Sequence, residues 1–142
     1  EWPGGNNLAS TPYIWRKMFE LIPSDNFGLN YDPSHPYLIM ADYIKPVYEF
    51  KDKIFHIHFK DIKIYQDKLD EYGAFSYPAL WHSPKLLGLG GVDFSAFVSA
   101  LNDIRYNGFA CIEVEDKAFE ASEADVKKGI EQSYRYMRTI MG

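Results

Sequence analysis

Three short stretches supply carboxylates, two of them together with imidazoles, in a way that suits cation chemistry. They are Asp32-Pro33-Ser34-His35, His56-Ile57-His58-Phe59-Lys60-Asp61 and Glu113-Val114-Glu115. Carboxylate oxygens mixed with imidazole nitrogens form a donor set for Mn²⁺, Co²⁺ or Zn²⁺, and less readily Mg²⁺. In the first stretch Pro33 stiffens the backbone directly after Asp32, and His35 follows three residues on. Taken alone, it reads more readily as an Asx-turn with a loop histidine than as a ligand pair. In the second, strand alternation sets Ile54, His56, His58 and Lys60 on one face and Phe55, Ile57 and Phe59 on the other. Alone, this segment is as well explained by an edge strand with two solvated histidines. In the third, Glu113 and Glu115 share a face with Cys111, which a solvated strand face would also show. Coincidence is easy for one stretch and much harder for three, each at the C-terminal end of a strand-like run.

The elements that position these groups follow from periodicity. Thr11-Pro12 opens a helix, with Ser10 or Thr11 as cap and Ile14, Trp15, Met18, Phe19 and Ile22 at helical spacing. A short strand over 27–31 runs into Asp32. Asp42 caps a second helix whose Ile44, Val47, Tyr48 and Phe50 are expected to face inward. The β-branched and aromatic run 54–61 is the central strand. Asp93 caps a third helix with the stripe Phe94, Phe97, Val98, Leu101 and Ile104. Asn107 or Gly108 is expected to end it at positive φ. A third strand covers 109–116. The last helix, from Ser122 or Glu123 to about Met141, is expected to bury Val126, Ile130, Tyr134, Met137 and Ile140 or Met141. Strand, helix and strand recur at the size of a βαβ unit.

From 62 to 91 the periodicity is lost, apart from a helical turn near 64–70. The segment is rich in aromatics, Pro and Gly, and reads as one ordered loop, a lid or wall over a barrel mouth. Its glycines lack the Lys-Ser/Thr ending of a phosphate loop and the spacing of a dinucleotide fingerprint.

Composition narrows the classes. The chain has 142 residues, a length suited to a single domain, with a formal charge of −5 and scattered Lys and Arg, which disfavours a nucleic-acid surface. No apolar run is long enough to span a bilayer. The single cysteine, Cys111, excludes an internal disulfide and suits a reducing, cytoplasmic setting.

The ordered set Leu29-Asn30-Tyr31-Asp32-Pro33-Ser34-His35, His56-Ile57-His58-Phe59-Lys60-Asp61, Gly88-Leu89-Gly90-Gly91-Val92-Asp93-Phe94 and Tyr106-Asn107-Gly108 leading to Ile112-Glu113-Val114-Glu115-Asp116 resembles the sugar phosphate isomerase/epimerase family. That family lies within the xylose isomerase-like TIM-barrel superfamily. The resemblance covers nearly the whole chain. It departs at Leu87, where the family typically has Pro, and at Gly91, where it has an acidic residue.

The resemblance implies an α/β fold: the C-terminal part of a (β/α)8 TIM barrel, about three parallel strands with outer helices. It implies a divalent metal (Mn, Co, Zn or Mg) held by Asp32, His58 and Glu113. Glu113 would also act as acid/base, with Glu115 in its place if the register differs by two. His35 would bind substrate, as would His82 and Lys85 from the long segment. The activity implied is metal-dependent isomerisation or epimerisation of a sugar or sugar phosphate, by proton transfer through a metal-stabilised enediolate. A fourth ligand, a Glu on an earlier strand, has no counterpart here. The opening Glu1-Trp2-Pro3-Gly4-Gly5 resembles the loop that follows that strand. Three parallel strands with helices on one face leave the other face and both edges uncovered. Such a piece is expected to pair with the N-terminal portion of a barrel, a second copy or another protein. The alternatives are a truncated, non-catalytic assembly module and an endonuclease IV-like phosphodiesterase; acidity weighs against the latter.

Overall fold

The computed structural model describes residues 7–142. The opening Glu1-Trp2-Pro3-Gly4-Gly5 segment lies outside the described residues. The chain divides into two compact units. One comprises the described residues up to Phe59 together with Ser95–Cys111; the other comprises Lys60–Phe94 with Ile112–Gly142.

The first unit holds a three-stranded sheet in the order β1 (Leu29–Tyr31), β2 (Ile54–Phe59), β5 (Phe109–Ile112). β1 and β2 run parallel, with Leu29 opposite Ile54 and Tyr31 opposite Ile57; the register shifts between Leu29 and Asn30. Helix α1 (Pro12–Leu21) starts with Pro in its first turn, as the sequence predicts. Its cap position is Thr11, whose side chain makes no capping bond. Trp15 is its one buried residue and sets the core: its ring meets Tyr31 edge-on at 6.0 Å and Phe50 at 5.5 Å. Tyr31 stacks on Phe97 of α5 (Phe94–Asp103) at 6.0 Å, and Phe59 meets the same ring at 6.2 Å. Aromatic edges and faces of this kind supply much of the burial of a small unit.

Several local expectations are corrected here. His35 sits not in a loop but on a short helix, α2 (Ser34–Leu38). Asp42 does collect the amides of Ile44 (2.8 Å) and Lys45 (2.9 Å) ahead of α3 (Lys45–Glu49). Tyr48 is exposed rather than inward, because its hydroxyl donates to Asp103 at 2.7 Å. After α5 the positive φ belongs to Arg105 (54°), not to Asn107 or Gly108. Phe55 is partly exposed and lies against Gly28, where a Cβ would collide with its ring.

In the second unit the stretch read as one long loop is an excursion with its own structure. β3 (Asp61–Ile64) pairs antiparallel with β4 (His82–Lys85), from Asp61 opposite Lys85 to Ile64 opposite His82. Between them α4 (Gln66–Tyr72) is followed by an exposed tip at Phe75 and Tyr77. Helix α6 (Glu123–Met141) is capped by Ser122, whose hydroxyl accepts from the Asp125 amide at 3.1 Å. Its buried residues are Gly129, Ser133 and Met137, while Ile130 and Tyr134, expected inside, are exposed. Small side chains decide this face: a Cβ on Gly129 would already sit 3.2–3.3 Å from Leu86, Phe119 and Val114. The larger Ile130 and Tyr134 have no such room. Among the described residues no helix is long and apolar enough to cross a membrane.

Candidate functional site

In the first unit the strand ends deliver their polar groups within a few ångströms of one another. Asp32 follows β1 directly and is fully buried. Its Oδ1 accepts from the Ser34 amide at 2.8 Å, a bond set up by the turn that Pro33 fixes. Its Oδ2 faces His35 Nε2 at 3.4 Å, because the turn of α2 returns residue 35 to the carboxylate. His58, second from the end of β2, is half-buried, and its Nε2 lies 3.1 Å from Asn30 Nδ2 on the adjacent strand. A carboxylate oxygen of Asp32 and a ring nitrogen of His58 lie within 4.8 Å of each other. A buried carboxylate oriented by a backbone amide, beside an imidazole on the adjacent strand, is a donor set that a borderline divalent cation takes.

In the second unit Glu113 and Glu115 follow β5 instead of lying within it. They do share one side, since both reach the same ammonium. Lys60 Nζ is 3.0 Å from Glu113 Oε1 and 2.8 Å from Glu115 Oε2. Burial works against the Lys60 charge, but the two carboxylates outweigh it and hold its pKa above the ordinary lysine value.

Asp61 has a different role from its neighbours in the motif. Its Oδ1 accepts from the amides of Ile62 (2.9 Å) and Val92 (3.1 Å), and its Oδ2 from those of Gly88 (3.0 Å) and Gly90 (2.9 Å). Burial pushes its carboxyl above the ordinary value against the pull of these four donors. The glycines of the 88–91 run are there for approach: a Cβ on Gly90 would enter the Asp61 carboxylate. Asp61 therefore belongs to the loop's scaffold and is corrected out of the ligand-type set.

His82 and Lys85, singled out in the sequence as substrate contacts, line one cavity of about 430 Å³ with Ser83, Glu115 and Asp116. That is the size range of small-ligand pockets. Burial lowers the His82 pKa, and its Nδ1 is buried without a hydrogen-bond partner. Lys85 Nζ is 3.1 Å from Asp116 Oδ1. Asp116 is buried, which alone would raise its pKa. The Ala118 amide, Lys85 and the Leu86 amide reverse this and bring it below the ordinary value.

Sequence reasoning missed Lys60 and Asp116 as clamps. Lys60 carried a signal, its place two residues after His58 on the imidazole face; for Asp116 only the Ala118 amide is local, and Lys85 and Leu86 are 31 and 30 residues away in sequence.

A family model described as a xylose isomerase-like TIM barrel matches residues 1–140. The chain belongs to that family. An inosose dehydratase of Lacticaseibacillus casei is 28% identical over 123 residues, 83% of this chain and 40% of the relative. This xylose isomerase-like chain thus spans well under two thirds of that relative's length. Among solved structures, an IolI protein with a bound zinc atom gives a TM-score of 0.68 at 19% identity, over 93% of this chain and 44% of that one. A probable 3-DHS dehydratase, AsbF of Bacillus anthracis, gives 0.69 at 17%, over 96% and 47%. An L-ribulose 3-epimerase gives 0.57 at 19%, over 96% and 47%. At these identities the likeness is one of fold, the parallel three-stranded sheet with its helices matching about half of each barrel.

Proposed function

We propose that this chain carries part of the catalytic centre of a divalent-cation-dependent enzyme that moves a proton at the carbon beside a carbonyl in a small polyhydroxylated substrate, as a sugar or sugar-phosphate isomerase or epimerase. The observation that carries this reading is the pairing of buried Asp32 with His58 at neighbouring strand ends, within 4.8 Å. Its support from relatives is the zinc atom in the IolI structure and the epimerase among the fold neighbours.

On this reading Asp32, His58 and Glu113 hold the cation, which when bound supplies Lewis-acid stabilisation of charge developing on the carbonyl oxygen. Glu113 takes the proton from the adjacent carbon and returns it to the same or the neighbouring carbon. Lys60 keeps that carboxylate oriented and places a positive charge beside it. His35 donates to or accepts from a substrate hydroxyl. His82, which burial biases towards the neutral form, does the same on the cavity side, and Lys85 offers its ammonium.

The test is Glu113→Gln in the complete enzyme. Exchange of the substrate proton with solvent deuterium is expected to slow by ~10²-fold or more. Exchange at the parent rate removes Glu113 from the role.

The inosose dehydratase likeness favours a second reading that begins with the same proton removal. The electron pair left on carbon then expels a β-hydroxyl, which an acid protonates to water. Product NMR separates the two readings, since only dehydration creates a new C=C bond with loss of one water.

A further inference from the structure

His56, His58 and Cys111 form a second cluster, which shares only His58 with the cation ligands proposed above. One ligand atom from each lies within 4.8 Å of the other two. The geometry follows from the sheet. His56 and His58 are two apart on β2 and so share a face, and Cys111 lies on the adjacent strand β5. Their rings meet edge to face at 5.4 Å, and Asn30 holds His58 Nε2 at 3.1 Å. Cys111 is exposed, so an ion can reach it from solvent.

We propose that these three side chains form a thiolate–imidazole site for a soft or borderline divalent cation, typified by Zn²⁺. Two imidazoles and one thiolate leave a fourth tetrahedral position for water. Bond lengths of ~2.0–2.3 Å require ligand atoms about 3.5 Å apart, a distance that side-chain rotation on a fixed sheet supplies. Binding converts the Cys111 thiol to thiolate and releases its proton to solvent. The soft sulfur sets this site apart from the carboxylate set of Asp32 and Glu113. Both sets use His58, so a cation in one removes a ligand from the other; that competition, but not the site, rests on the reading above.

Cys111 is the single cysteine of the chain, so thiol labelling reports it alone. With chelator-treated protein, saturating Zn²⁺ is expected to slow labelling of Cys111 by dithionitrobenzoate about tenfold or more. The protection is expected to persist in Asp32→Asn and to vanish in His56→Ala. Co²⁺ is expected to give a thiolate-to-metal charge-transfer band that Cys111→Ser abolishes. This band keeps the proposal testable if His56→Ala does not fold. Labelling indifferent to Zn²⁺, equal protection in His56→Ala, or no thiolate band overturns it. Protection lost in Asp32→Asn also overturns it, placing the cation with the carboxylate set and leaving the proposed function intact.

Discussion

Two of the buried aspartates, Asp32 and Asp61, are used in opposite ways. Asp61 gives both oxygens to four backbone amides of residues 62–92. Asp32 gives one oxygen to a backbone amide and turns the other towards the imidazole of His35. Backbone donors are fixed in number and place, so a carboxylate saturated by them is a structural rivet. A carboxylate that faces side chains can exchange partners, and a cation is one such partner. Residue type alone did not separate the two; what the second oxygen faces does, two backbone amides for Asp61 and an imidazole for Asp32.

The sharpest way to break that contrast is to remove each carboxylate. Asp61→Ala strands four amides and is expected to cost about 3–5 kcal/mol in urea unfolding. Asp32→Asn keeps an acceptor for Ser34 and is expected to cost only about 1 kcal/mol, while tightly bound metal, measured by elemental analysis, falls at least tenfold. Equal stability losses would erase the distinction. Gly90→Ala attacks the rivet from the other side by driving a methyl into Asp61. It is expected to cost about 2–3 kcal/mol and to lower the thermal midpoint accordingly. The smallest effect concerns Lys60. Its folded pKa is raised, so its ion pairs contribute fully below the unfolded lysine pKa and fade as pH rises through the folded value. Lys60→Met is therefore expected to flatten the decline in stability above about pH 10, read by denaturant midpoints across alkaline pH. An unchanged slope would show that Lys60 does not gain its charge from Glu113 and Glu115.

Much of the parallel sheet was readable in the sequence because β2 is a run of β-branched and aromatic residues, and β1 and β5 each lead directly into an acidic residue, Asp32 or Glu113. The stripe Phe94, Phe97, Val98 and Leu101 was equally legible, since all four are buried at helical spacing. The β3–β4 pairing was not, because Ser83 and Pro84 carry no strand signature and only the pairing makes them one. The face of α6 was misread for a physical reason. Burial rewards large apolar side chains only where there is space, and the close approach at Gly129, on the same face as buried Ser133, leaves little. In the candidate site the ligand types at strand ends could be read directly. Lys60 could be placed on the imidazole face, but its pairing with Glu113, 53 residues on, and that of Lys85 with Asp116, 31 residues on, could not be read.

The Asp61 rivet has an evolutionary consequence. It ties residues 88–92 to the point where the chain leaves β2, so everything between is a closed detour from the sheet. Doubling the length of the exposed tip near Phe75 and Tyr77 would add only about 0.6 kcal/mol of closure entropy. The outer wall of the detour is thus open to insertion and recomposition.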